Sequence, residues 1–278
     1  MFEWVNDLLL SVRSGTMVGM IHTVTSADGT PIAFERRGEG PALVVVAGAG
    51  NDRHGDEPLV AELTAEFSVV TYDRRGRGDS GDTAPYSAER EIEDLAAVVA
   101  ALGEPVIVHG ISSGGALALL AAAAGVPMER LSVFEPPYRG ETEEVPEGYA
   151  DEMRELVAAD RWDDAVALFT MSAVGTPAEA VAAAKATPMW AELRSFAPTL
   201  VYDAFVMRDS KVPGELASIA TPVLVVNSNG STDWLKAAAL AAAKTVPGAR
   251  QVELDGEFHS VAPERLVPEL SAFYRDPR

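Results

Sequence analysis

Gly110-Ile111-Ser112-Ser113-Gly114 carries the first residue types in this chain whose spacing suits covalent chemistry. A serine between glycines, two positions away on each side, can sit at the tip of a sharp turn. The glycines have no Cβ to clash with whatever the turn packs against. A serine hydroxyl is a weak nucleophile near neutral pH and needs a base within hydrogen-bond reach. The chain has only four histidines. His22 falls in a strand pattern, His54 in a loop, and His109 in the apolar run before the serine. His259 stands in the loop Asp255-Gly-Glu-Phe-His-Ser260 and is the candidate base. Attack on an acyl carbon also needs donors for the developing oxyanion, each worth about 3–4 kcal/mol. The backbone N–H of Ser113 is one candidate. The second is the N–H of Ala49, in the glycine-rich Gly48-Ala49-Gly50-Asn51.

These residues need elements to hold them. Val106 to Val108 reads as a strand into the serine turn, and Ala116 to Ala124 as a helix out of it. That strand, turn and helix context is what a nucleophile elbow requires. Upstream, Ile21 to Thr25 and Ile32 to Arg36 form a hairpin pattern around Asp28-Gly29. Ala42 to Ala47 and Ser68 to Tyr72 are further strands, with a helical pattern between them. Ser87 opens an amphipathic helix with Glu89 and Glu91 in its first turn. Leu131 to Phe134 is a strand ending in Glu135-Pro136-Pro137. Strands resume only at Pro222 to Val226 and Arg250 to Leu254, followed by a last helix, Pro263 to Tyr274. Everything between reads as helix.

Alternating strands and helices, with nearly continuous apolar strands, imply an α/β fold: a mostly parallel β-sheet with helices on both faces. The expected division is a core formed by residues 20–137 and 221–278, a helical cap at 138–220, and an N-terminal extension at 1–19. Phe2, Val5, Leu8, Leu9 and Val12 share one helical face in that extension.

Composition narrows the functions further. The 42 acidic against 22 basic residues give a net charge of −20, which argues against nucleic acid or an anionic membrane surface as partner. The chain contains no cysteine, which excludes disulfides, thiolate metal sites and cysteine nucleophiles. No apolar run approaches membrane-spanning length, and the N-terminus does not resemble a secretory signal, so a cytoplasmic protein is expected. Val44-Val-Val-Ala-Gly-Ala-Gly50 resembles a dinucleotide fingerprint, but its third glycine position holds Arg53. The expected partner is a small-molecule substrate, with no cofactor and no metal.

Taken together, the motifs resemble those of the α/β-hydrolase superfamily from about Ile21 to Tyr274. Gly48-Ala49 stands where that family usually has His-Gly-x, with Ala47 replacing the histidine. Asp73-Arg-Arg-Gly-Arg-Gly-Asp-Ser80 matches the family's Asp-x-x-Gly-x-Gly-x-Ser turn, which makes Arg77-Gly78-Asp79 a structural loop. The resemblance implies a carboxylate behind the histidine, and here the pattern departs from the family. Its usual aspartate position holds Ser231, which reads as a helix N-cap, and Asp233 comes two residues late. Glu135, at a strand end that some relatives use instead, is taken as the acid, with Asp233 as the alternative. Cap aromatics suggest an apolar roof, with Trp190 and Phe205 as candidate substrate contacts. The family motifs say little about substrate; an apolar roof over Ser112, with the strong negative charge, favours a serine hydrolase acting on a small or medium uncharged ester, lactone or thioester. The alternatives are a protein of this fold that cyclises or processes an intermediate of secondary metabolism, or one that only binds.

Overall fold

A computed structural model describes residues 20–139, 146–208 and 210–276; the amphipathic pattern expected in the N-terminal extension lies outside them. Eight strands form one sheet: β1 (Ile21–Thr25), β2 (Pro31–Arg37), β3 (Ala42–Val46), β4 (Ser68–Tyr72), β5 (Val106–Ile111), β6 (Arg130–Phe134), β7 (Val223–Ser228) and β8 (Arg250–Leu254). Their order is β1-β2-β4-β3-β5-β6-β7-β8. β2 runs antiparallel to both of its neighbours, β1 and β4, and every other pairing is parallel. The strands β3 to β6 are buried nearly end to end, as their largely apolar sequences suit in a sheet covered on both faces.

The core helices are α1 (Glu57–Leu63), α2 (Ala88–Leu102), α3 (Ser113–Ala123), α9 (Asp233–Thr245) and α10 (Pro263–Tyr274). Leu95, Val98 and Val99 of α2, with Leu117 to Leu120 of α3 and Ala238, Ala239 and Ala242 of α9, bury one face of the sheet. Leu59, Val60 and Leu63 of α1 and Leu266, Leu270 and Phe273 of α10 bury the other. The apolar stripe of α2 is as expected, but Ser87 makes no side-chain cap, and Glu91 turns inward rather than to solvent.

Among the described residues, five α-helices lie between β6 and β7: α4 (Tyr149–Ala158), α5 (Trp162–Phe169), α6 (Ala178–Ala184), α7 (Pro188–Ser195) and α8 (Ala197–Met207). A π-helical turn, Thr170–Val174, follows α5. These helices share a core of their own around Met153, Val166, Trp190, Leu200 and Val201.

β3 is flanked by β4 on one side and β5 on the other, so the chain reverses its winding there. A sheet of this kind opens a crevice at the carboxyl ends of the strands at such a switch point. The loops leaving β3 and β5 are the Gly48–Asn51 loop and the serine turn.

Candidate active site

Ser112 has φ 54° and ψ −124°, between β5 and the first residue of α3. The flanking glycines explain how so strained a turn packs. A Cβ on Gly110 would stand 2.6 Å from the Cα of Gly115, and one on Gly114 would stand 2.2 Å from the carbonyl oxygen of Val46. Neither contact is with a side chain that could swing aside, so both positions require glycine. Gly48 fits as closely, since its Cβ would meet Ser112 Cβ at 3.1 Å. The Gly48–Ala49 peptide therefore runs beside the serine.

The Ser112 N–H donates to the carbonyl of Phe134 at 2.9 Å, which sets the serine next to Glu135, the residue that follows. Glu135 is fully buried and has φ 44°. Its Oε1 accepts from the Ser228 N–H at 2.8 Å, and its Oε2 lies 2.5 Å from Nδ1 of His259. The His259 ring also packs near Phe134, with 5.7 Å between ring centroids. Only six non-glycine residues among those described have positive φ, and Ser112, Glu135 and His259 are three of them. Each such conformation costs roughly 1–3 kcal/mol and persists only where the surroundings impose it. These three lie on the loops after β5, β6 and β8, at the carboxyl ends of the strands.

His259 is further held by its backbone N–H, which donates to Ser231 Oγ at 2.9 Å. Ser231 is thus not the N-cap of α9; that position belongs to Thr232. Asp233, the alternative acid, does not approach the histidine. It opens α9 with its side chain fully exposed and pairs with Lys236 at 3.2 Å. The late position of the aspartate carries it past the strand end and onto the helix, which is why Glu135 alone of the two carboxylates meets the ring. Burial raises the Asp56 carboxyl, ahead of α1, to about 6.

His109 is fully buried behind the site, its Nδ1 2.7 Å from Ser132 Oγ. Burial depresses it to about 4, so it stays neutral. It is a core residue.

The two expected substrate contacts both take part in the packing of the inserted helices. Trp190 is 4% exposed in the core shared by the inserted helices, where its Nε1 donates to Asp163 at 2.7 Å. Phe205 packs between the Tyr86 ring, at 5.9 Å, and the Arg154 guanidinium, at 5.1 Å. Among the inserted helices Leu193 lies near the glycine-rich loop, since a Cβ on Gly50 would lie 2.7 Å from its Cδ1, and Ala49 packs against their core. A cleft of about 830 Å³ lies at the opposite end of the strands, near Val106 and Met128, and has no histidine in its walls.

The motif around Asp73 forms the structural turn expected of it. The Asp73 carboxylate accepts from the N–H groups of Arg53 and Asp79, both at 2.8 Å. A Cβ on Gly78 would stand 2.2 Å from that carboxylate. What sequence reasoning missed is the cluster beside it. Arg74 pairs with Glu91 and Asp203, and Arg77 with Asp203, all four nearly sealed from solvent. Among the described residues no group of side chains is arranged to hold a metal ion, and no helix is long and apolar enough to cross a membrane.

A hydrolase from Sphaerobacter thermophilus DSM 20745 is similar to this chain in structure, with a TM-score of 0.85 and 48% identity over 91% of this chain and 100% of that one. Among curated proteins, YraK, a hydrolase of Bacillus subtilis (strain 168), is 33% identical over 114 residues, 40% of this chain and 39% of its own length. The 3-oxoadipate enol-lactonase 1 of Acinetobacter baylyi is 34% identical over 104 residues, 36% of this chain and 39% of the lactonase. The chain thus spans about two fifths of the curated relatives that it matches. Residues 43–269 match the profile of the Alpha/beta hydrolase family, a stretch that takes in β3, the serine turn, the inserted helices and the histidine loop. That span is most of the chain, and this protein belongs to the alpha/beta hydrolase family.

Proposed function

We propose that this protein is a serine hydrolase that cleaves a small to medium, largely apolar carboxylic ester, lactone or thioester through an acyl-enzyme. The observation that carries this reading is the buried Glu135 carboxylate 2.5 Å from Nδ1 of His259, beside a serine in a strained turn.

The chemistry follows from that contact. A carboxylate on Nδ1 fixes the proton there and leaves Nε2 free to accept. His259 Nε2 takes the Ser112 proton as Oγ attacks the acyl carbon. The carbonyl π pair moves onto oxygen, where the N–H groups of Ser113 and Ala49 receive it. Collapse of this tetrahedral species expels the alkoxide or thiolate, which takes the proton from His259. Water then repeats the sequence on the acyl-Ser112 and frees the acid. A lactone opens by the same steps, with its alcohol and acid on one product. The enol-lactonase among the relatives lends weight to the lactone class, within the limits of a partial match.

The test is a panel of p-nitrophenyl esters of increasing acyl length together with five- and six-membered lactones, each assayed on the parent and on Ser112→Ala. Turnover by the parent and none by the variant is expected. Parent turnover that survives in Ser112→Ala would refute the serine mechanism. A parent that turns over no member of the panel would refute the substrate class and favour a processing or binding role.

A further inference from the structure

Arg74, Arg77, Glu91 and Asp203 are each at most 3% exposed and carry two positive and two negative charges. Glu91 lies on α2 and Asp203 on cap helix α8, so the cluster bridges core and cap. A buried, balanced set of charges is by itself weak evidence for anything beyond fold specificity. What distinguishes this set is where its hydrogen bonds end.

Asp203 Oδ1 accepts from the Ser113 hydroxyl at 2.7 Å, and Oδ2 accepts from Arg77 Nη2 at 2.8 Å. Arg77 then donates through Nη1 to the carbonyl oxygen of Gly48 at 2.8 Å and to that of Asn51 at 3.2 Å. The Gly48 carbonyl and the Ala49 N–H belong to one peptide unit. In a planar trans peptide the two point in opposite directions. Holding the oxygen against Arg77 turns the Ala49 N–H away from the cluster. A Cβ on Gly48 would meet Ser112, so this peptide lies against the turn of the nucleophile. A cationic donor on the oxygen also polarises the amide and strengthens its N–H as a donor. The residues that carry the two proposed oxyanion donors thus both lead back to one carboxylate, Ser113 through its hydroxyl and Ala49 through Arg77 and the Gly48 carbonyl. Burial pushes Asp203 up, but Arg77 and Arg74 outweigh it and hold the group below its ordinary value, so it is charged at neutral pH.

We propose that Asp203 is a positioning residue for the oxyanion pocket: from the cap it fixes the Ser113 side chain directly and the Gly48–Ala49 peptide through Arg77. Catalytic geometry is then coupled to the seating of α8. Displacing that helix would release both donors together. The proposal rests on the serine-hydrolase reading above and goes beyond it by giving the cap a part in transition-state binding.

The test compares the full-length parent with Asp203→Asn and with Arg77→Lys, each checked by circular dichroism at the assay temperature. Arg77→Lys keeps the charge facing Asp203 but lacks the second nitrogen that spans to Gly48. Three quantities are read: the rate of fluorophosphonate labelling, KM and kcat for a p-nitrophenyl ester, and inhibition by an alkylboronic acid, whose tetrahedral adduct places an oxygen in the pocket. Loss of one whole oxyanion donor costs about 10²–10³ in kcat, so misaligning two without removing either should cost about 10–100-fold. Labelling, kcat and boronate affinity should fall together by that factor, with KM within about threefold. A merely structural role would lower the melting temperature and leave boronate affinity intact. Folded variants with boronate affinity and labelling within threefold of the parent would overturn the proposal, and if Asp203→Asn does not fold, Arg77→Lys decides it alone. A parent that fails to label at all would overturn the serine-hydrolase reading, and this proposal with it.

Discussion

Replacing Glu135 by glutamine should do far more damage than its near-identical shape suggests, and the hydrogen bonds say why. The carboxylate has two fixed neighbours: the Ser228 N–H, a donor 2.8 Å from Oε1, and the His259 Nδ1, 2.5 Å from Oε2. A glutamine can satisfy the Ser228 N–H only by turning its carbonyl oxygen there. Its amide nitrogen, a donor, then faces Nδ1. Nδ1 must accept, so the ring proton moves to Nε2 and blocks the position that would take the Ser112 proton. The opposite amide orientation sets two donors against each other at Ser228 and leaves a buried N–H unpaired, which costs about 1–3 kcal/mol. Either way the catalytic tautomer is disfavoured. The comparable change in serine proteases costs about 10⁴ in kcat, so about 10³–10⁴ is expected here. At 1.36 kcal/mol per tenfold this is about 4–5.5 kcal/mol of transition-state stabilisation. The assay is kcat for a p-nitrophenyl ester at neutral pH, with circular dichroism as the control for folding. A folded Glu135→Gln within tenfold of the parent would refute the tautomer argument and return the acid to an open question.

Other changes should separate the site from its surroundings. Ser231→Ala removes the acceptor of the His259 N–H, a bond worth about 1 kcal/mol, so kcat should fall about fivefold with KM unchanged. Trp190→Phe breaks the bond to Asp163 inside the cap core, so it should lower the melting temperature without altering which esters are preferred, read as the ratio of kcat/KM between short and long acyl chains. The pH dependence of stability should show two groups, His109 and Asp56, acting in opposite senses. His109 has a folded value of about 4 against 6.5 when unfolded, so its contribution is complete above pH 6.5 and is lost as pH falls toward 4. That amounts to about 3 kcal/mol. Asp56 has a folded value of about 6 against 3.8, so stability falls as pH rises from 3.8 to 6. Urea titrations from pH 4 to 7 should therefore show a steeper loss toward acid in Asp56→Asn than in the parent, and a shallower one in His109→Gln; unchanged slopes would contradict both placements.

The central strands were legible because β3, β4 and β7 carry continuous valine runs bounded by turn residues, and α2 because its apolar residues form one stripe. The serine turn was legible because backbone contacts at Gly110 and Gly114 permit only glycine. The end of β7 was not. The apolar run stops at Val226, yet the strand continues to Ser228, where the buried Asn227 side chain finds Glu253 and Gln251 as hydrogen-bond partners. Ser231 and Thr232 are adjacent hydroxyl residues ahead of one helix, and spacing could not say which would cap it. Glu91 read as a charge at a helix start because its partner Arg74 lies 17 residues away in another element. Asp203 lies 129 residues from Arg74. Its signal was present all the same: a lone carboxylate inside Leu200-Val-Tyr-Asp-Ala-Phe-Val-Met207, an otherwise apolar helix, which charged residues rarely enter without a partner.

The central claim is that Ser112 is the nucleophile. The most direct measurement is to label the full-length protein with a fluorophosphonate, digest it, and locate the adduct by mass spectrometry in the peptide that contains Ser112 and Ser113. The expected result is one adduct per chain on Ser112, abolished in Ser112→Ala and in His259→Ala and retained in Ser113→Ala. An adduct on Ser113 or on any other residue, or labelling that survives Ser112→Ala, would contradict the account.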